Sequence, residues 1–164
     1  MLPLTLMAAN KVLNLLTVSD ALSTTISLNA AASGMEVPAL GTGQIFGSFI
    51  SPDIADLNLD LTYPRVCVYA SHVANNQREK FRRFSGVVSV TVDVWSSDSL
   101  EQTTELALQF YVDGVADILQ ANLGDWGDGL RYSGAYGVHI QAATKGGLGF
   151  VQLARMTCAL DATF

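Results

Sequence analysis

Charge is what this chain has least of: Asp, Glu, Lys and Arg make up 15% of its 164 residues, against about 25% in an average soluble domain. With 49% of residues hydrophobic, polar cover is thin for a free monomer. Part of the apolar surface is therefore expected to meet other subunits, the alternative being a monomer with a greasy exterior. Nine bases against fifteen acids leave a net charge of −6. That balance argues against a general nucleic-acid binder, whose phosphate contacts need a basic face, and leaves room only for a local basic patch.

Metal ligands and nucleophile motifs are equally sparse. The two cysteines, Cys67 and Cys158, have no CxxC spacing and no histidine near them in sequence. They read as free, buried thiols of a reducing compartment, with a Cys67–Cys158 bridge as the alternative. His72 and His139 are isolated, so no metal site assembles, and each reads as a strand-edge or surface residue. There is no GxSxG, no P-loop and no GxGxxG after a strand. No catalytic, cofactor-binding or metal-binding residue is assigned. No run reaches the ~18 apolar residues of a membrane span. The apolar start lacks a basic n-region and is broken by Asn10, Lys11 and Asn14, which reads as a soluble protein made in a cytoplasm.

What is present fits one domain over residues 1–164. Leu6, Ala9, Leu13 and Leu16 recur at helical spacing behind Pro3, predicting a helix over 4–17. β-branched Thr24, Thr25 and Ile26 predict a strand over 22–29. From Ala30 to Thr62 runs a glycine-rich but apolar stretch. It reads either as an arm whose Ile45, Phe46 and Phe49 dock on a neighbouring subunit or as a hairpin packed on its own core. Residues 63–70 alternate as a strand entered through Pro64. In residues 86–95, Val88, Val90, Val92 and Val94 share one strand face, while Ser89, Thr91 and Asp93 face solvent or a polar partner. A long helix begins at Ser99 and carries one stripe of Leu100, Ala107, Leu108, Tyr111, Val115, Ile118 and Leu119 to about Asn122. The glycines of 124–129 stop it. Strands near 130–143 and 148–162 close the chain, joined through Lys145-Gly-Gly. The expected class is α+β: a mixed or antiparallel sheet with the long helix and the N-terminal helix on one face, plus the 30–62 arm.

Charge is uneven along the chain. Residues 1–62 hold one base and five acids, and residues 63–164 hold eight bases and ten acids. Four of those bases fall in seven residues, Arg78-Glu-Lys-Phe-Arg-Arg-Phe. At strand spacing Arg78, Lys80 and Arg82 share one face and Phe81 the other. Such an edge can pair with acids on a neighbouring subunit, face nucleic acid or remain solvated; pairing is the preferred reading in an acidic chain. Asp125 and Asp128 flank Trp126. They read as turn residues or a subunit contact, ahead of a carboxylate pair of the kind hydrolases use.

The ordered run of Tyr63-Pro-Arg-Val-Cys-Val-Tyr, Arg78-Glu-Lys-Phe-Arg-Arg-Phe-Ser-Gly, Tyr111-Val-Asp, Gly124-Asp-Trp-Gly-Asp-Gly, Tyr132-Ser-Gly-Ala-Tyr and Lys145-Gly-Gly resembles the neck and tail-completion proteins of tailed bacteriophages. It is most similar to the tail-terminator group. The resemblance covers roughly the last hundred residues; residues 1–62 match less clearly. It implies an α+β virion subunit that closes into a ring, commonly of six copies, at the head-proximal end of the tail, assembled in the host cytoplasm. Its partners would be copies of itself, the tail-tube protein and the head connector, with genome DNA passing through unbound and no membrane involved. Head-to-tail closure needs two different complementary patches. Candidates are Arg78, Lys80, Arg82 and Arg83 on one side and Asp113, Asp117, Asp125 and Asp128, with Trp126, on the other. Another head–tail joining or tail-tube component is the alternative within this class. A small hydrolase or ligand-binding module using the Asp125–Trp126–Asp128 loop is the alternative outside it.

Overall fold

The computed structural model describes residues 2–48, 62–77, 79–146 and 149–164. Three helices cover one face of a seven-stranded sheet. In chain order they are α1 (Leu4–Thr17), α2 (Ala21–Ala32), β1 (Ile45–Phe46), β2 (Arg65–Ala74), β3 (Ser85–Asp98), α3 (Glu101–Ala121), β4 (Gly124–Gly127), β5 (Leu130–Ile140), β6 (Thr144–Gly146) and β7 (Gly149–Thr163). The sheet runs β1-β2-β3-β7-β5-β4, with β6 paired to β7. β1 lies parallel to β2 and every other pairing is antiparallel. This is the mixed α+β sheet with one helical face that the periodicities predict.

The core follows from strand alternation. Val66 and Val68 of β2, Val88, Val90, Val92 and Val94 of β3, and Ala154, Met156, Cys158, Leu160 and Ala162 of β7 all point to the helices and are buried. α3 lays Ala107, Leu108, Tyr111, Val115, Ile118 and Leu119 on them. Each large aliphatic side chain so buried contributes about 1.5–3 kcal/mol. The predicted stripe is correct except at its start, where Leu100 is exposed. The start is fixed by Asp98, whose Oδ1 accepts from Leu100 N and Ser99 Oγ.

The sequence expectation fails over 22–29, which is helix α2. Leu22, Ile26 and Ala30, four apart, are its buried residues, whereas Leu28 is exposed. Consecutive left-handed residues Ser19 and Asp20 reverse the chain after α1. α2 then packs closely on α3, where a Cβ on Gly114 would stand 2.8 Å from Ile26 Cγ1. Tertiary packing here overrides the weak strand preference of threonine and isoleucine.

The 30–62 stretch is described as far as residue 48 and again at residue 62. Its first residues belong to α2. Residues 33–48 fold back on the chain's own core, with Leu40 buried and Tyr111 Oη donating to Pro38 O at 2.7 Å. Ile45 and Phe46 are half-buried in β1, opposite Val66 and Cys67. That pairing satisfies backbone groups an extended arm would leave unpaired. Phe49 and the segment to residue 61 lie outside the described residues.

Candidate subunit interface

The face of the sheet away from the helices carries a polar network at its middle. Asp93, fully buried on β3, sits opposite Arg155 of β7. Arg155 donates through Nε to Oδ1 at 2.8 Å and through Nη2 to Oδ2 at 2.9 Å. Tyr69 Oη donates to the same Oδ2 at 3.0 Å. Two-pronged pairing of this kind fixes the orientation of a buried carboxylate. The hydrogen bond from Arg155 to Asp93 raises the arginine's already high pKa further. Burial, then the nearby Asp93, pushes the Tyr69 phenol up to about 12. One strand position away, Thr91 Oγ1 donates to Ser71 Oγ at 2.8 Å and lies 3.3 Å from Thr157 Oγ1. The polar partner expected for Asp93 is therefore internal. Arg65, also buried, has its guanidinium 4.9 Å from the centre of the Phe46 ring, a cation–π contact. Its three guanidinium nitrogens make no hydrogen bond among the described residues.

Cys67 pairs with Asp93 across the outer face, and Cys158 pairs with Val90 across the core face. Both cysteines are buried and neither forms a disulfide, and their positions on opposite faces keep them apart. Burial pushes the Cys158 thiol up to about 11.

Unsatisfied surface lies elsewhere, first along β5. β4 pairs with β5 only between Leu130 and Tyr132, while β7 pairs with β5 as far as Ile140. Beyond Tyr132 no described strand covers the outer edge of β5. Tyr136, Val138 and Ile140 stand opposite Cys158, Met156 and Ala154 and so point to the helical face, yet they are 43%, 39% and 48% exposed. A pattern of alternate apolar residues would ordinarily be buried, and here the helices do not reach far enough to cover it. Beside this edge Phe110, Asp113, Ala116 and Asp117 of α3, Tyr136 and the end of α2 line a hollow of ≈ 390 Å³. Asp117 Oδ2 accepts from Asn29 Nδ2 at 2.8 Å. Asp113 is exposed and has no hydrogen-bond or ion-pair partner among the described residues.

The second unsatisfied region is the connection between β2 and β3. The predicted basic strand is a loop, because pairing between β2 and β3 ends at Ala74–Val87. Its Arg78 lies outside the described residues, while Lys80, Arg82 and Arg83 are exposed. The one acid among them, Glu79, is 3.7 Å from Arg82 Nε, both side chains half exposed. Phe81 is fully exposed, at 102%, with a left-handed φ of 69°. The loop's base is tied to β7: Arg83 N donates to Phe164 O at 2.8 Å and Phe164 N to Phe84 O at 3.0 Å. Beneath it Leu2, Pro3, Leu4, Met7, Arg83, Phe84 and Phe164 line an apolar hollow of ≈ 550 Å³.

The Asp125–Trp126–Asp128 segment is part strand, part turn. Residues 124–127 form β4, and Gly127, Asp128 and Gly129 turn the chain with positive φ at all three. Trp126 is half-buried, donating through Nε1 to Asn122 O at 2.6 Å and packing against Tyr132 at 5.3 Å between ring centres. Asp125 Oδ1 accepts from Gly127 N at 2.8 Å, and Asp128 pairs with Lys11 at 3.0 Å. Both carboxylates are exposed. The structure thus gives each of these three residues a partner in its own chain, whereas Asp113, Lys80 and Arg83 keep their charged groups unpaired among the described residues.

Sequence reasoning missed Tyr136, Val138 and Ile140 as surface residues, because their alternation is that of a buried strand face. It also missed Phe110, whose half exposure on the flank of α3 follows from the i, i+3, i+7 spacing with Asp113 and Asp117. Phe81 was assigned to a strand face, although a lone aromatic among four bases is itself a signal for an exposed anchor.

No protein-family model matches the chain, and no curated protein matches it. Among the described residues no group of His, Cys, Asp and Glu could hold a metal ion, and no helix is long and apolar enough to cross a membrane.

Proposed function

We propose that this chain is a structural subunit that assembles with copies of itself into a ring. Following the resemblance in residues 63–150, we place that ring at the neck of a tailed-phage particle as a tail terminator between tube and head connector. The observation that carries self-assembly is the outer edge of β5. An open strand edge with three exposed apolar side chains is an aggregation site unless a partner covers it. It lies next to the acidic flank of α3, so the whole patch combines apolar area with a charged rim, the common anatomy of a protein–protein contact. The hydrolase alternative loses support from the partners found for Trp126 and Asp128, which are engaged in holding β4 to the core.

Sedimentation or mass photometry tests the assembly. The expected species is a discrete oligomer near six times 17.5 kDa, visible as an annulus by electron microscopy. Val138→Lys together with Ile140→Glu should shift it towards monomer while leaving the circular dichroism spectrum intact. A wild-type chain that stays monomeric at tens of micromolar, with and without tail-tube or connector proteins, would sink the proposal.

A further inference from the structure

We infer that Phe81 is the knob of the subunit contact and that it seats in the hollow between Phe110, Asp113, Asp117 and Tyr136 of a second copy of this chain. The inference rests on the ring reading above and names its two complementary patches.

The first observation is the geometry of the knob. A bulky side chain in the left-handed region is strained, and such strain persists only where the surroundings impose it. Here the imposing contacts are the bonds from Arg83 and Phe84 to Phe164 and from Arg82 N to Glu79 O. The loop is therefore held with its phenyl ring fully in water, a presentation that lowers the ordering cost of binding.

Charge then chooses the occupant. The knob is flanked by Lys80 and Arg82, with only Glu79 to offset them. Two of the hollows among the described residues have aromatic side chains in their walls, suited to a phenyl ring. The larger, of ≈ 550 Å³, is apolar but has Arg83 on its rim and no acid, so it would set cation against cation. The smaller, of ≈ 390 Å³, is lined by Phe110 and Tyr136 together with Asp113 and Asp117. Sign complementarity favours the second.

Topology makes the contact intermolecular. The knob hangs from the β2–β3 connection, while the hollow is built by α2, α3 and β5, beyond β7 in the sheet. Two different patches on one subunit define a head-to-tail contact, which closes into a ring when the rotation allows. The hollow is continuous with the β5 edge through Tyr136, so one neighbour can cover both.

Cysteine cross-linking tests this directly, since the native Cys67 and Cys158 are buried. Phe81→Cys combined with Asp113→Cys should give, under mild oxidation, a covalent ladder of multiples of the chain, absent from either single variant. Separately, Lys80→Glu/Arg82→Glu and Asp113→Lys/Asp117→Lys should each weaken assembly by roughly tenfold or more, and the four changes together should restore it. Phe81→Gly should weaken assembly while leaving the melting temperature equal or higher, because glycine relieves the left-handed strain. A wild-type oligomer with no ladder, and with charge reversals that assemble normally, overturns this inference and leaves the ring standing. A monomeric wild type removes both.

Discussion

On the outer face of the sheet Arg155 lies in a two-pronged bond with buried Asp93, whereas in the β2–β3 loop Lys80, Arg82 and Arg83 stand exposed with one acid 3.7 Å from Arg82. Both regions carry basic residues in an acidic, charge-poor chain. In the first, the charge is spent inside the molecule and fixes how three strands align. In the second, it stands in solvent with Glu79 as its described partner. Where ionic groups are few, the unpaired ones are the more informative about partners.

The sharpest way to break this contrast is to remove a cation from each region. Arg155→Met leaves the fully buried Asp93 with only Tyr69 as a described partner and should cost about 3–5 kcal/mol in urea unfolding. Asp93→Asn should cost less, because the partly exposed Arg155 regains water.

Gly114→Ala comes next, at about 1–3 kcal/mol. It drives a methyl group against Ile26 and separates α2 from α3 without altering any charge.

Alkaline pH probes the buried side through its thiol and phenols. The Cys158 thiol titrates near 11 in the fold against an ordinary 9.0. A folded pKa above the unfolded one means stability is complete below pH 9 and lost as pH rises towards 11, by about 2 kcal/mol. Tyr69 and Tyr132, both pushed to about 12 by burial first, extend the loss above pH 10. Melting temperatures for wild type and Cys158→Ala between pH 8 and 11 check the sign, the variant declining less steeply from pH 9.

Smallest of all is Lys80→Ala, which should change unfolding stability by less than about 0.5 kcal/mol. Its effect should be read in assembly, where Arg155→Met would act only through the fold.

Legibility in the sequence followed physical scale. α3, β3 and β7 are long enough for their periods to repeat several times, so their buried residues could be named from spacing. α2 could not, because Leu22, Ile26 and Leu28 share a strand face while Leu22, Ile26 and Ala30 share a helical one. Only its packing on Gly114 of α3 decides between them. β1 and β4 are held by pairing with distant strands and leave no local pattern. At the candidate interface the unpaired cations and Asp113 were legible as charges. Their lack of partners was not, because the pairing of Asp128 with Lys11 links residues far apart in the chain. Tyr136, Val138 and Ile140 look buried in any one-dimensional reading, and their exposure depends on where the helices end.

The position of β7 has a consequence for how the molecule is made. It joins β3 on one side to β5 and β6 on the other, and no other described strand bridges the two halves of the sheet. Yet it is synthesised after every one of them. A nascent chain can therefore hold two unjoined half-sheets with open edges until β7 leaves the ribosome, and long-range pairings of this kind form slowly. The Phe81 loop is tied to the same strand's end, so the surface inferred to engage a neighbour is completed only when the subunit itself is closed. The Phe81 loop and the closed sheet thereby depend on one segment.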